Sequence, residues 1–280
     1  MISSCSFFYV RNEEESGIEK EKIMSKKLLV LMTVVVVVGT VCISTYLASA
    51  APQGKGNDRV LTKIKFIHYR KPHGKPAGTP GGKPEGKGKD EGYYTYMAKG
   101  AKWKTIEPFL FNPTNYDGVT NLDVETAVSS GMGEWETYAP SDIFGNITED
   151  YAIAGTLDLD VLQKVNTISF RDLGDQNANV IAWAIVWGYF GGPPSQREII
   201  EAHIELNDRF EWGVVNPEKP VMVMDVQNIL THELGHCAGM GDLYLTDAIE
   251  ETMYGYSDEG ETNKRDLYKG DIAGISGLYK

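Results

Sequence analysis

The sequence predicts an α+β domain over residues 93–280, and three observations carry that prediction. A helix-spaced segment comes first, strand-patterned segments follow, and two helix-spaced segments close the chain. This order keeps helices and strands apart instead of alternating them. A length of 280 residues suits one substantial domain with flanking segments, and no internal repeat divides it.

The first element is an address. Lys26 and Lys27 precede an apolar run over 28–47, and Ala48-Ser49-Ala50 follows. A basic start, an apolar centre and small residues at an A-x-A site describe a secretory signal peptide over 24–50, with Met24 as its natural start. Twenty apolar residues also suffice for a membrane anchor. Either way the remainder is exported, because the basic flank stays inside. Residues 1–23 form an extension with no evident structural logic. After cleavage Cys237 is the one cysteine left, since Cys5 and Cys42 lie upstream, so disulfide frameworks and multi-Cys zinc sites are excluded.

Residues 60–69 (VLTKIKFIHY) form one short strand or lie along another surface. The stretch 70–89 is dominated by Gly, Pro and Lys, so 51–92 reads as a propeptide-like segment with a flexible linker, and His68 and His73 as solvated linker residues. Order resumes at Tyr93. Over 121–138, Leu122, Ala127, Val128 and Trp135 share a helical stripe, with Asn121 as cap and Gly131 and Gly133 weakening the middle. Residues 166–170 and 180–189 read as strands; in the second, large and small residues alternate. Gly191-Gly-Pro-Pro194 turns the chain. Ile200, Ala202, Ile204 and Leu206 then alternate with Glu201, His203, Glu205 and Asn207, a half-exposed strand pattern. Asp225 opens a helix through Cys237, and 266–279 suggests the last one.

Charge is unevenly placed. Residues 51–104 carry 13 Lys/Arg against 4 Asp/Glu, whereas 105–280 carry 9 against 30. An acidic domain excludes nucleic acid as a partner, because phosphate neutralisation needs a basic surface. It suits cations or basic partners.

Chemistry concentrates in His232-Glu233-Leu234-Gly235-His236. Residues i and i+4 share a helix face, so both imidazoles reach one Zn2+, and Glu233 projects beside the ion as a general base rather than a ligand. Gly239 ends the helix in a left-handed conformation and turns the chain back. Asp242 then supplies a third ligand, the number a catalytic zinc site takes from the protein. Val226, Leu230, Leu234 and Cys237 form the opposite, core-facing stripe.

At these residues the chain resembles the metzincins, and among them the matrixins. H-E-x-x-H-x-x-G-x-x-D is followed by Glu251-Thr-Met253-Tyr-Gly-Tyr256, which is similar to a Met-turn. Residues 271–279, Lys102-Trp103 and 201–212 also look matrixin-like. The resemblance covers about 93–280. It implies a metzincin-like fold: a twisted, mostly parallel sheet with an active-site helix, a Met-turn and a C-terminal helix. It implies a secreted, monomeric zinc endopeptidase acting on protein or peptide substrates that lie extended along residues 180–189. Membrane association enters only if the N-terminal segment is retained. Asp242 stands where most matrixins have His, as in snapalysin-like proteases, and no Cys lies in 51–92 for a thiol switch. The resemblance leaves room for structural Ca2+, with Asp172, Asp175 or Asp208 as candidates; the alternative reading of these residues is exposed acidic loops. His203 matches a structural-zinc position but lacks an upstream His-x-Asp loop. Two rivals keep the fold and change the function: an exported non-catalytic metal- or peptide-binding protein, and a zinc enzyme acting on a non-peptide bond.

Overall fold

In the computed structural model the described residues are 59–71, 92–153 and 157–280. The signal or anchor segment, the extension before it, Cys5, Cys42, His73 and nearly all of the Gly/Pro/Lys linker lie outside them. No helix among the described residues is long and apolar enough to cross a membrane.

The strands are β1 (Leu61–Arg70), β2 (Glu107–Asn112), β3 (Phe144–Glu149), β4 (Asn166–Arg171), β5 (Val180–Tyr189), β6 (Glu198–Asn207), β7 (Trp212–Gly213), β8 (Met224–Asp225) and β9 (Tyr256–Ser257). The helices are α1 (Asn121–Tyr138), α2 (Val226–Cys237) and α3 (Lys269–Leu278). Seven strands form one sheet in the order β3-β2-β4-β6-β5-β1-β9, and β7 and β8 make a small parallel pair. Within the large sheet only the β6–β5 and β5–β1 pairings are antiparallel. The α+β architecture with its mostly parallel sheet is therefore the one expected.

Helix α1 is where the pattern placed it, but its cap is Thr120, whose side chain accepts from Asp123 N. A Thr one residue upstream of Asn121 meets the same need for an oxygen facing the first free N–H groups. Leu122 is exposed rather than part of the buried stripe, which runs through Val124, Ala127, Val128, Met132 and Trp135. Gly131 does more than weaken the helix. A Cβ there would stand 2.9 Å from Leu234 Cδ1 and 3.3 Å from Thr231 Cα, so this glycine sets how closely α1 crosses α2. Trp135 locks the crossing by donating from Nε1 to Thr231 O at 2.7 Å.

The alternation in β5 sorts residues by size. Ala182, Ala184 and Val186 are fully buried, whereas Trp183 and Trp187 are half-buried on the other face under Lys65 and Lys63. Strand β6 departs from expectation: it is central and buried on both faces, not half-exposed. Its polar residues are paired instead of solvated, as burial requires. Glu201 accepts from the Gln163 and Lys164 amides at 2.8 and 2.5 Å, and Glu205 binds Arg171 and the Trp183 indole at 2.6 Å each. His203 has Thr167 on one ring nitrogen and Glu201 on the other, which leaves no free nitrogen for a structural zinc.

The largest difference concerns β1. Residues read at their end as linker form a ten-residue strand inside the sheet, antiparallel to β5 from Leu61↔Tyr189 to His68↔Ala182. The edge of β5 that was expected to receive substrate is taken by the chain itself. Basic side chains of this segment meet acidic ones of the domain: Arg59 with Glu198 at 2.5 Å, Arg70 with Asp258 and Glu259 at 3.2 and 2.9 Å, and Lys71 with Glu261. The uneven charge along the sequence thus has a partner within the chain.

Candidate metal centre

Helix α2 begins where Asp225 accepts from Asn228 N at 2.8 Å, and Arg265 holds the same carboxylate at 2.5 Å. Every residue of α2 but Gln227 is buried, because α1 covers one side and the sheet the other. Burial explains the small Gly235: a Cβ would strike Met253 Sδ and the Trp135 ring. Met253 is fully buried beneath the helix at that point, as the Met-turn resemblance implies.

The helix stops at Gly239, whose φ of 102° is left-handed. Its carbonyl accepts from Met97 N at 2.8 Å, and Gly241 N donates to Thr95 O at 2.9 Å. These bonds pin the returning chain and bring Asp242 under the two histidines. A Cβ on residue 239 would both strain the backbone and strike Ala101 O. Gly239→Ala is expected to destabilise the fold by about 2–5 kcal/mol, combining left-handed strain with overpacking. Denaturant unfolding checks this; unchanged stability contradicts it.

The imidazoles are oriented by backbone carbonyls. His232 Nδ1 lies 2.7 Å from Thr252 O, and His236 Nδ1 lies 3.1 Å from Met240 O. A carbonyl only accepts, so each Nδ1 carries the proton and each Nε2 presents a lone pair inward. Asp242 Oδ1 lies 3.3 Å from both Nε2 atoms, near enough for charge attraction but without hydrogen-bond geometry. His232 Nε2, His236 Nε2 and Asp242 Oδ1 are buried and have no hydrogen-bond partner. Three buried, convergent, unsatisfied donor atoms cost free energy unless a cation takes them up. The set of two imidazoles and a carboxylate, its ligand atoms all within 4.8 Å of one another, fits Zn2+.

Glu233 lies beside this set and is not one of its three donors. Its Oε2 has no hydrogen-bond partner, its Oε1 lies 3.1 Å from His68 Nδ1, and burial pushes its carboxyl up to about 8. Burial likewise drives His232 down to about 4, while Asp242 overcomes the effect of burial at His236 and holds that ring above its ordinary value. Asp242 itself, despite burial, is held well below the carboxylate range by the two imidazoles. Cys237 packs in the core, and burial raises its thiol well above the ordinary range.

Two residues missing from the sequence-based site come from β1. Phe66 stacks on His236 with ring centroids 4.0 Å apart, and His68 lies over His232 at 3.9 Å. His68 is fully buried, with Nε2 3.0 Å from Ser257 Oγ and 3.3 Å from Lys264 Nζ. His68, His232 and Glu233 form a second cluster of ligand-type groups, but both nitrogens of His68 are already hydrogen-bonded there. A cavity of about 380 Å3 opens on the other side of β1, between it and Thr95, Tyr96, Asp242 and Tyr244.

The Met253 turn is fixed from the C-terminus. Asp271, near the start of α3, accepts from Thr252 N at 2.5 Å and Met253 N at 3.2 Å. Glu251 accepts from Tyr93 N, Gly270 N and Asp271 N. Both carboxylates begin stretches that carry the matrixin resemblance, but nothing in their spacing announces this role. Of the calcium candidates, Asp172 and Asp175 both bind the Arg209 guanidinium, which already supplies the positive charge at those oxygens.

A search of curated proteins finds no match. A comparison with protein families matches the matrixin peptidases over residues 103–280, which include α1, all the strands after β1, α2, the Met253 turn and α3. The chain belongs to the matrixin family, whose members are zinc metallopeptidases.

Proposed function

We propose that the chain is an exported zinc endopeptidase in which His232, His236 and Asp242 hold the metal and Glu233 is the general base. The observation that carries this reading is the unsatisfied set His232 Nε2, His236 Nε2 and Asp242 Oδ1, with an uncommitted Glu233 oxygen alongside. When bound, Zn2+ supplies Lewis acidity to the scissile carbonyl and to the attacking water. Glu233 accepts the proton of that water and then delivers it to the leaving amine. Thr252 O and Met240 O keep both imidazoles in the ligating tautomer, and Met253 and Trp135 keep water away from the back of the helix. A binding-only role has no need of Glu233. Export rests on the 24–50 segment, and N-terminal sequencing of secreted material, expected to begin at Ala51, tests it.

Strand β1 adds latency to this reading. It fills the cleft between β5 and the segment 255–257, and its His68 engages the base. A segment held by its own tether outcompetes free substrate through effective concentration. The double substitution Phe66→Gly, His68→Gly is therefore expected to raise casein turnover by at least about 10-fold over the parent chain. Equal or lower turnover, with zinc content unchanged, contradicts latency.

A further inference from the structure

The end of β1 shows what kind of side chain the cleft accepts. The strand runs antiparallel to β5 and parallel to β9, with Tyr69 opposite Tyr256 and Arg70 opposite Ser257. Going from amino to carboxyl end, it lays Phe66 on His236 and then His68 on His232 and against Glu233. The backbone between these two side chains crosses the metal-donor set. His68 is thus the first inward-facing side chain on the carboxyl side of the crossing.

Its pocket is polar on opposite walls. On one wall stands Lys264, fully buried. Its Nζ donates to Tyr254 O, Tyr256 O and Ser257 Oγ at 2.5, 2.7 and 2.8 Å. The Ser257 hydroxyl accepts from Lys264 and keeps a proton to give, and His68 Nε2 lies 3.0 Å from it. On the other wall Glu233 Oε1 accepts from His68 Nδ1 at 3.1 Å. The pocket therefore presents a donor and an acceptor at once. A neutral imidazole answers both, and so does a carboxamide. An aliphatic side chain answers neither, and leaves the Ser257 hydroxyl and the Glu233 carboxylate buried without those partners.

We propose that this pocket selects the side chain on the carboxyl side of the bond to be cut, and that it takes an imidazole or carboxamide in preference to an aliphatic group. The selection rests on the peptidase reading above, with Ser257 and Lys264 as the residues that determine it. The substrate class is peptides carrying His, Gln or Asn at that position.

The strap itself is the probe. In the full-length chain, confirmed intact by mass, hydrogen exchange of the Leu61–Arg70 amides reports how firmly the pocket holds residue 68. His68→Gln should exchange within about 3-fold of the parent. His68→Leu should exchange about 10–100-fold faster, although leucine is the more apolar residue, because it leaves buried polar groups unpaired. Ser257→Ala should loosen the parent strap and leave His68→Leu unaffected. Lys264→Met should narrow or invert the His/Leu order; should that variant fail to fold, the His68→Gln and His68→Leu pair decides alone. As a second readout, the Phe66→Gly, His68→Gly chain should show a KM at least about 10-fold lower for a peptide with Gln at the selected position than for its Leu counterpart. Protection in His68→Leu equal to or above the parent, or a lower KM for the Leu peptide, overturns the proposal. Exchange does not depend on hydrolysis. A protein that is inactive but shows the predicted exchange order refutes the peptidase reading and leaves the pocket assignment standing, and the reverse result separates them the other way.

Discussion

Glu233→Gln is expected to keep its zinc and lose proteolysis, with kcat falling by about 10^3-fold or more. The amide is isosteric, so the buried site keeps its shape, and none of the three metal-donor atoms belongs to residue 233. What disappears is the capacity to take a proton, and general acid–base groups contribute about 10^2–10^4-fold. The structure adds one condition. Because Glu233 Oε1 lies against His68 Nδ1, casein turnover is compared in the Phe66→Gly, His68→Gly background, where the base faces the cleft. Near-parental turnover by the Gln variant removes Glu233 from the mechanism.

Asp242 carries the second large effect. Asp242→Ala leaves two imidazoles, and zinc affinity is expected to fall by far more than the 10–100-fold that loss of a supporting hydrogen-bond partner costs. Asp242→His should restore part of the binding, since imidazole and carboxylate both ligate zinc at about 2.0–2.2 Å. Restoration should be incomplete, because the returning chain is pinned to Thr95 and Met97 and cannot retreat for a longer side chain. Asp242→Asn should bind less well than His, having lost the charge opposite Zn2+. Zinc titration of the three variants decides the order. Stoichiometric tight zinc in Asp242→Ala makes Asp242 a supporting group and not a ligand.

The difference between what sequence showed and what it hid follows sequence distance. His232, Glu233, His236, Gly239 and Asp242 lie within eleven residues, and helix geometry followed by a left-handed turn converts their spacing directly into proximity. Met253 was legible through the Met-turn resemblance alone. His68 was not: its partners Glu233 and Ser257 are 165 and 189 residues away, and a Gly/Pro/Lys tract next to it reads as linker. Two faint signals pointed toward it, the strand-like run over 60–69 and the basic character of 51–104 against an acidic remainder. The polar positions of β6 looked exposed because period-2 patterning cannot distinguish water from a covering loop; here the 163–164 backbone and Arg171 take that place. Strands β2 and β3 escaped notice because they are short and parallel, and Pro108 and Gly145 interrupt their patterns. Glu251 and Asp271 satisfy backbone amides about twenty residues apart, a role for which no spacing rule exists.

One measurement bears on the central claim most directly: bound zinc per chain alongside casein hydrolysis, before chelation, after it, and after zinc is returned, in the Phe66→Gly, His68→Gly chain. The account predicts one zinc per chain, loss of hydrolysis as zinc is withdrawn, and recovery in proportion to zinc restored. Hydrolysis that persists in metal-free protein, or a fully zinc-loaded chain that leaves casein intact, contradicts it.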